Sequence, residues 1–186
     1  MWLASLRMPE LAGRDWQAGE QAAWDQAVAE IDTAQAAGSA RAILSRLQAT
    51  QVQILIDAPK PLFKAPPNRC SDWFNHMNPV CAAGLTVERA QIVKLRSPQM
   101  QLLAELQSEY PKLHVWDPLP LLCPYSACSA YDRDGKPLYN DSDHLSGHGN
   151  RVLESSLSET LLDIWRSTPV ARGLVPDSIG LPRRDA

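Results

Sequence analysis

Ala40-Arg41-Ala42-Ile43-Leu44-Ser45-Arg46-Leu47-Gln48-Ala49, then Val52-Gln53-Ile54-Leu55-Ile56-Asp57-Ala58-Pro59, is the stretch on which the fold turns. Its first ten residues place Ile43, Leu44 and Leu47 on one side at helical spacing and predict a helix over 40–49. The aliphatic run from Val52 to Asp57, stopped at Ala58-Pro59, predicts a buried strand. A helix feeding such a strand suggests one layer of an α/β domain.

Working outward, Gln17 to Ala37 is rich in Ala, with Ala23, Ala27, Ile31 and Ala34 recurring at helical spacing. It predicts a further helix stopped by Gly38. Trp2 to Leu6 is a short strand candidate followed by a loop through Gly13. On the other side, Pro59 to Gly84 shows no periodicity and reads as a long loop. Val87 to Tyr110 carries Ile92, Leu95, Met100, Leu103 and Leu106 and predicts a helix kinked near Pro98. Leu113 to Asp117 is a third strand. Asn150 to Arg166, with Leu153, Leu157, Leu161 and Ile164 in one stripe, is a last helix. Residues 169–186 read as a loose tail. The sum is an α/β sandwich around a mostly parallel sheet. Three strands are few for 186 residues and leave an edge near the N-terminus, as expected of a portion of a larger domain.

A chain of 186 residues with 45% hydrophobic and 21% charged residues suits one packed domain. Its formal net charge of -3 gives no general attraction to nucleic acid or anionic membranes. No apolar run approaches the roughly 20 residues of a spanning helix, and Met1 to Arg7 does not resemble a secretory signal.

Four cysteines permit three connectivities. The spacing favours two local clips, Cys70 with Cys81 and Cys123 with Cys128, over metal ligation; free core thiols are the alternative. Clips imply an oxidising compartment. An exported domain without an export signal is then expected to be a piece of a longer polypeptide.

The densest polar cluster is Tyr139-Asn140-Asp141-Ser142-Asp143-His144-Leu145-Ser146-Gly147-His148-Gly149, just before the last helix. An Asp three residues before a His can place its carboxylate on Nδ1 and leave Nε2 facing a hydroxyl nucleophile. Asp141 and His144 have that spacing. The plainer reading makes Asp141 and Asp143 turn and cap residues, with His144 packed. A metal set of Asp141, Asp143, His144 and His148 is disfavoured because Gly147 and Gly149 argue against a helix carrying both histidines on one face. No metal or cofactor is expected. His148 is expected to be exposed, and His76 and His114 show no partner.

Leu113-His114-Val115-Trp116-Asp117-Pro118, Leu122-Cys123-Pro124 with Cys128, Asp134-Gly135-Lys136-Pro137-Leu138-Tyr139, and Asp141-Ser142-Asp143-His144-Leu145-Ser146 with Gly149 form an ordered series. The series resembles the C-terminal part of the SGNH domains fused to acyltransferase family 3 membrane proteins. Leu3 to Arg7 and the unit ending Ile54 to Pro61 resemble the middle of the same domain, so the likeness covers nearly the whole chain.

The resemblance implies a three-layer α/β/α flavodoxin-like SGNH hydrolase fold without its N-terminal strands, occupying residues 1–168. It implies a bacterial periplasmic esterase or O-acyltransferase domain, tethered to the inner membrane and working with a membrane acyltransferase domain on the same full-length chain. Its partners would be an acyl-ester donor and a cell-surface polysaccharide acceptor that becomes O-acetylated. Asp141 and His144 match the family's Asp-x-x-His block, orienting acid and general base. The family's nucleophile lies in a Gly-Asp-Ser segment, and neither that nor a Gly-x-Asn-Asp block occurs here. Ser5, Ser142 and Ser146 do not lie on a strand-to-helix nucleophile turn. The Ser is therefore expected outside this chain, leaving this polypeptide inactive by itself. The alternative is a noncatalytic carbohydrate-binding or scaffold module presenting Trp73, Phe74 and Tyr125.

Overall fold

The computed structural model describes residues 33–50, 52–75 and 77–168. The strand expected at Trp2 to Leu6, the first part of the helix expected from Gln17, Ser5, His76 and the C-terminal tail lie outside the described residues.

Helix α1, Thr33–Gln48, runs straight through Gly38, where a helix end was expected. A side chain at Gly38 would meet nothing. Glycine costs a helix interior about 1 kcal/mol. The stripe Ala37, Ala40 and Leu44 is buried on the neighbouring layer, and burying Leu44 alone is worth roughly 1.5–3 kcal/mol. Packing outweighs the local penalty. The helix stops where both the N–H and the hydroxyl of Thr50 turn back to the Leu47 carbonyl.

Strand β1, Ile54–Asp57, is followed by two short helices, α2 (Pro67–Cys70) and α3 (Pro79–Gly84), and a 3-10 turn over Trp73–Asn75. The expected loop thus contains local structure. Proline in the first turn of α2 presets its φ, and the Cys70–Cys81 disulfide closes the segment. The other bond is Cys123–Cys128, so both local clips form. In the chain-entropy treatment each contributes roughly 2–3 kcal/mol.

Thr86–Glu88 forms strand β2 ahead of helix α4, Arg89–Glu109, which begins later than the Val87 expected. The β-branched pair Thr86 and Val87 is claimed by strand β4, Ala127–Ser129, in antiparallel register with Val87 opposite Cys128. Helix α4 continues through Pro98. Strand β3, Leu113–Trp116, follows and pairs in parallel with β1, Ile54 opposite Leu113 and Asp57 opposite Trp116. A single turn, α5 (Leu119–Leu122), and the long helix α6 (Gly147–Ser167) complete the described elements.

Alternation along the parallel strands sorts the layers. Ile54, Ile56 and Leu113 pack with Ala40 and Leu44 of α1 and Leu106 of α4. Asp57 and Trp116, on the other face, look toward α6, where the Trp116 indole donates to Ser156 Oγ at 3.1 Å. Helices therefore flank the parallel pair on both faces, as the α/β reading requires. Arg41 forks onto Glu109 at 2.7 and 2.8 Å, joining α1 to the end of α4. Buried Arg96 donates to Asp117 Oδ1 at 2.8 Å, joining α4 to the end of β3.

Candidate functional site

The loop from Tyr139 to Leu145 is tied at its base before any side chain enters it. Tyr139 and Leu145 form an antiparallel bridge, and the Asn140 N–H donates to the His144 carbonyl at 2.7 Å. Below, the Tyr139 ring is fully buried and meets Phe63 edge-on, with centroids 4.9 Å apart. The Phe63 N–H donates to the Ser142 carbonyl at 2.9 Å, so a segment far back in sequence holds the loop's outer strand. The Tyr139 hydroxyl has no hydrogen-bond partner among the described residues, and burial pushes its ionisation above the ordinary phenol range.

Within this loop Asp141 and His144 come together, as their spacing predicts. Asp141 Oδ1 accepts the N–H groups of Asp143 at 3.0 Å and His144 at 2.8 Å, an Asx-type turn that folds the backbone over the carboxylate. The same carboxylate meets His144 Nδ1 at 2.9 and 3.0 Å. Burial pulls the Asp141 carboxyl upward, but the two backbone N–H groups and the ring outweigh it and hold the group well below the ordinary aspartate range. With Nδ1 donating to Asp141, the free Nε2 is the acceptor nitrogen. The His144 side chain is 58% exposed. One carboxylate thus both caps the turn, as the plainer reading expected, and grips the ring at Nδ1.

Asp143 also brings a carboxylate oxygen to 3.0 Å from His144 Nδ1, a second acceptor that sequence spacing did not single out. Asp141, Asp143 and His144 offer ligand atoms within 4.8 Å of one another, so these three could hold a cation. His148 does not join them. Its Nε2 meets Asp132 Oδ2 at 2.6 Å, and its side chain is 26% exposed, so the expectation of an exposed His148 is corrected. Asp132 also accepts the N–H groups of Lys136 at 2.8 Å and Asp134 at 2.9 Å. The Lys136 N–H, opposed by burial and aided by His148, holds its carboxyl below the ordinary range. The available signal was Asp132 three residues before Gly135, whose φ of +76° marks a turn, but nothing local pointed that turn at His148.

The helix start is corrected too. Gly147 and Gly149 are inside α6, whose N-cap is Ser146: its Oγ accepts the Gly149 N–H at 2.9 Å and donates to the Pro137 carbonyl at 2.6 Å. A β-carbon at Gly149 would stand 2.0 Å from the Leu138 carbonyl oxygen. The glycine admits a close approach rather than ending a helix. Ser146 is thus committed to capping. His114 pairs with Gln53 at 2.8 Å.

A groove of about 450 Å³ runs between the ends of β1 and β3 and α6, lined by Asp57, Lys60, Trp116, Arg151 and Leu157 among others. Leu145, the neighbour of His144 in the chain, also lines it.

Comparison with known proteins gives one family. The model of the SGNH domain fused to AT3 domains matches residues 5–159. No curated protein and no solved structure matches the chain.

Proposed function

The chain belongs to the family of SGNH domains fused to AT3 domains, and from that premise we propose that Asp141 and His144 are the acid–base half of a Ser-His-Asp acyl-transfer site. The observation that carries the reading is the Asp141 carboxylate on His144 Nδ1 at 2.9 Å in an exposed ring. This is the polarity a general base needs: the carboxylate selects the tautomer, and the opposite nitrogen takes the proton.

The nucleophile in this reading is a serine on a Gly-Asp-Ser turn, which the sequence itself does not contain. His144 Nε2 removes the proton as serine oxygen attacks the acyl carbonyl, and Asp141 stabilises the imidazolium. The proton passes to the departing alcohol as the donor ester breaks. An acceptor hydroxyl, or water, is then deprotonated by the same nitrogen and attacks the acyl-enzyme carbonyl; the acyl–serine bond breaks, the acyl group leaves on the acceptor, and the proton returns to the serine oxygen. The acceptor is a cell-surface polysaccharide that becomes O-acetylated, and the domain works in the periplasm, tethered to the inner membrane. The disulfides support an oxidising compartment. The family's fusion to AT3 domains supports a membrane acyltransferase on the same chain.

The test is hydrolysis of a small activated acetate ester. The polypeptide alone is expected to run near background, and joining it to a Gly-Asp-Ser-bearing segment should confer turnover that His144→Ala removes. Robust hydrolysis by the polypeptide alone that survives His144→Ala would overturn the assignment.

A further inference from the structure

The Cys70–Cys81 loop carries three large apolar side chains into solvent: Trp73 is 84% exposed, Phe74 63% and Met77 91%. Isolated exposed apolar residues are ordinary, but three within five positions on a closed loop are a cluster that the packing of the described residues leaves open. The loop is braced to present them. The disulfide closes its base, the Asn75 amide donates to the Arg69 carbonyl at 2.8 Å, and the Asn75 and Asn78 N–H groups make successive turn bonds to Asp72 and Asn75. Tyr131 OH donates to the Pro67 carbonyl at 2.7 Å and anchors α2 to the body.

We propose that this loop is a membrane-contact finger, with Trp73, Phe74 and Met77 seated in the interfacial layer of a lipid bilayer. The inference rests on the family's membrane fusion and not on the acid–base roles of Asp141 and His144. A domain held beside a bilayer by fusion meets that surface continually, and Trp with Phe and Met is an apolar set suited to the headgroup boundary. The flanking charges, Arg69 and Asp72, cancel, which suits a neutral lipid surface.

A sugar-stacking platform fits the same residues less well. Trp73 and Phe74 meet edge to face at 88°, with centroids 5.8 Å apart, so they present no continuous flat face. The Asn75 amide, next to Phe74, already donates to backbone. Position adds a functional reason: Asn68 of α2 donates to the Asn140 side chain at 3.3 Å, and Asn140 precedes Asp141. Seating the finger would hold the Asp141–His144 loop close to the membrane surface.

The experiment is co-sedimentation of the disulfide-intact chain with phosphatidylcholine vesicles at low and high salt. The wild-type chain is expected to pellet with vesicles, with little salt dependence. The double variant Trp73→Ser/Met77→Ser, both sites being exposed, should keep its circular dichroism and disulfides and lose at least about tenfold in vesicle partitioning. Trp165→Ser, at the far end of α6, should partition like wild type. So should His144→Ala, which separates this inference from the acid–base reading. Wild-type chain that stays in the supernatant, or partitioning lost in Trp165→Ser but kept in the double variant, would overturn the proposal. Retention on a polysaccharide column that depends on Trp73, without vesicle binding, would overturn it in favour of a sugar platform.

Discussion

Asp141 meets His144 at Nδ1 from three residues away, in a ring 58% exposed, whereas Asp132 meets His148 at Nε2 from sixteen residues away, in a ring 26% exposed. Both carboxylates are held below the ordinary aspartate range by backbone N–H groups, so residue type and local charge do not separate the two pairs. What separates them is which nitrogen is spent. The first pair leaves Nε2 at the far end of the ring, the nitrogen to which the proposed mechanism gives the serine proton. The second uses Nε2 to fasten the first turn of α6 to the Asp132 turn, and so serves as a brace.

The largest effect that would break this comparison is catalytic. In protein joined to a Gly-Asp-Ser segment, His144→Ala should lower ester turnover by about 10⁴-fold and Asp141→Asn by about 10³-fold, since an amide favours the wrong tautomer and cannot stabilise an imidazolium. His148→Ala should change kcat by no more than a few-fold while lowering the thermal midpoint. If the two histidines exchanged these phenotypes, the roles assigned here would be reversed.

Gly149 lies in the first turn of α6, next to His148. Gly149→Ala drives a methyl into the Leu138 carbonyl oxygen and should cost about 3 kcal/mol, read from denaturant unfolding. A wild-type midpoint would show that α6 can shift without disturbing the site.

The acid limb of stability sharpens the comparison further. A carboxyl whose folded pKa lies below its unfolded value contributes stability above the unfolded value and loses it as pH falls through the folded one. Asp132 and Asp141 are both depressed from 3.8, so their contribution should be complete at neutral pH and fade below about pH 4. Asp132→Asn should flatten that decline in a thermal-melt series across pH. The smallest effect is expected at Tyr139→Phe. Removing a buried hydroxyl that has no partner among the described residues should leave stability unchanged or raise it by about 1 kcal/mol, measured by calorimetry.

Some of this was legible along the chain because the physics is local. The strands at Ile54–Asp57 and Leu113–Trp116 announce themselves as short apolar runs bounded by turns, and both form. The Asp141–His144 contact needs only a three-residue turn. The two disulfides join cysteines 11 and 5 residues apart, within reach of a short loop. Reading failed where a distant group outbid local preference. Gly38 looked like a helix end, but Leu44 and Ala40 bury against α4 and carry α1 through it. Val87 looked helical until β4 offered it a partner.

By itself, then, the sequence determined an α/β chain whose spacings favour two local clips and allow an Asp–His contact through Nδ1, because each depends on contacts a few bonds or one turn apart. Only the tertiary structure decided that Gly149 sits inside the first turn of a helix rather than preventing one, and that His148 is a brace. The Leu138 carbonyl and the Asp132 carboxylate that impose those outcomes arrive from other segments, and the preferences of nearby residues carry no record of where distant atoms will stand.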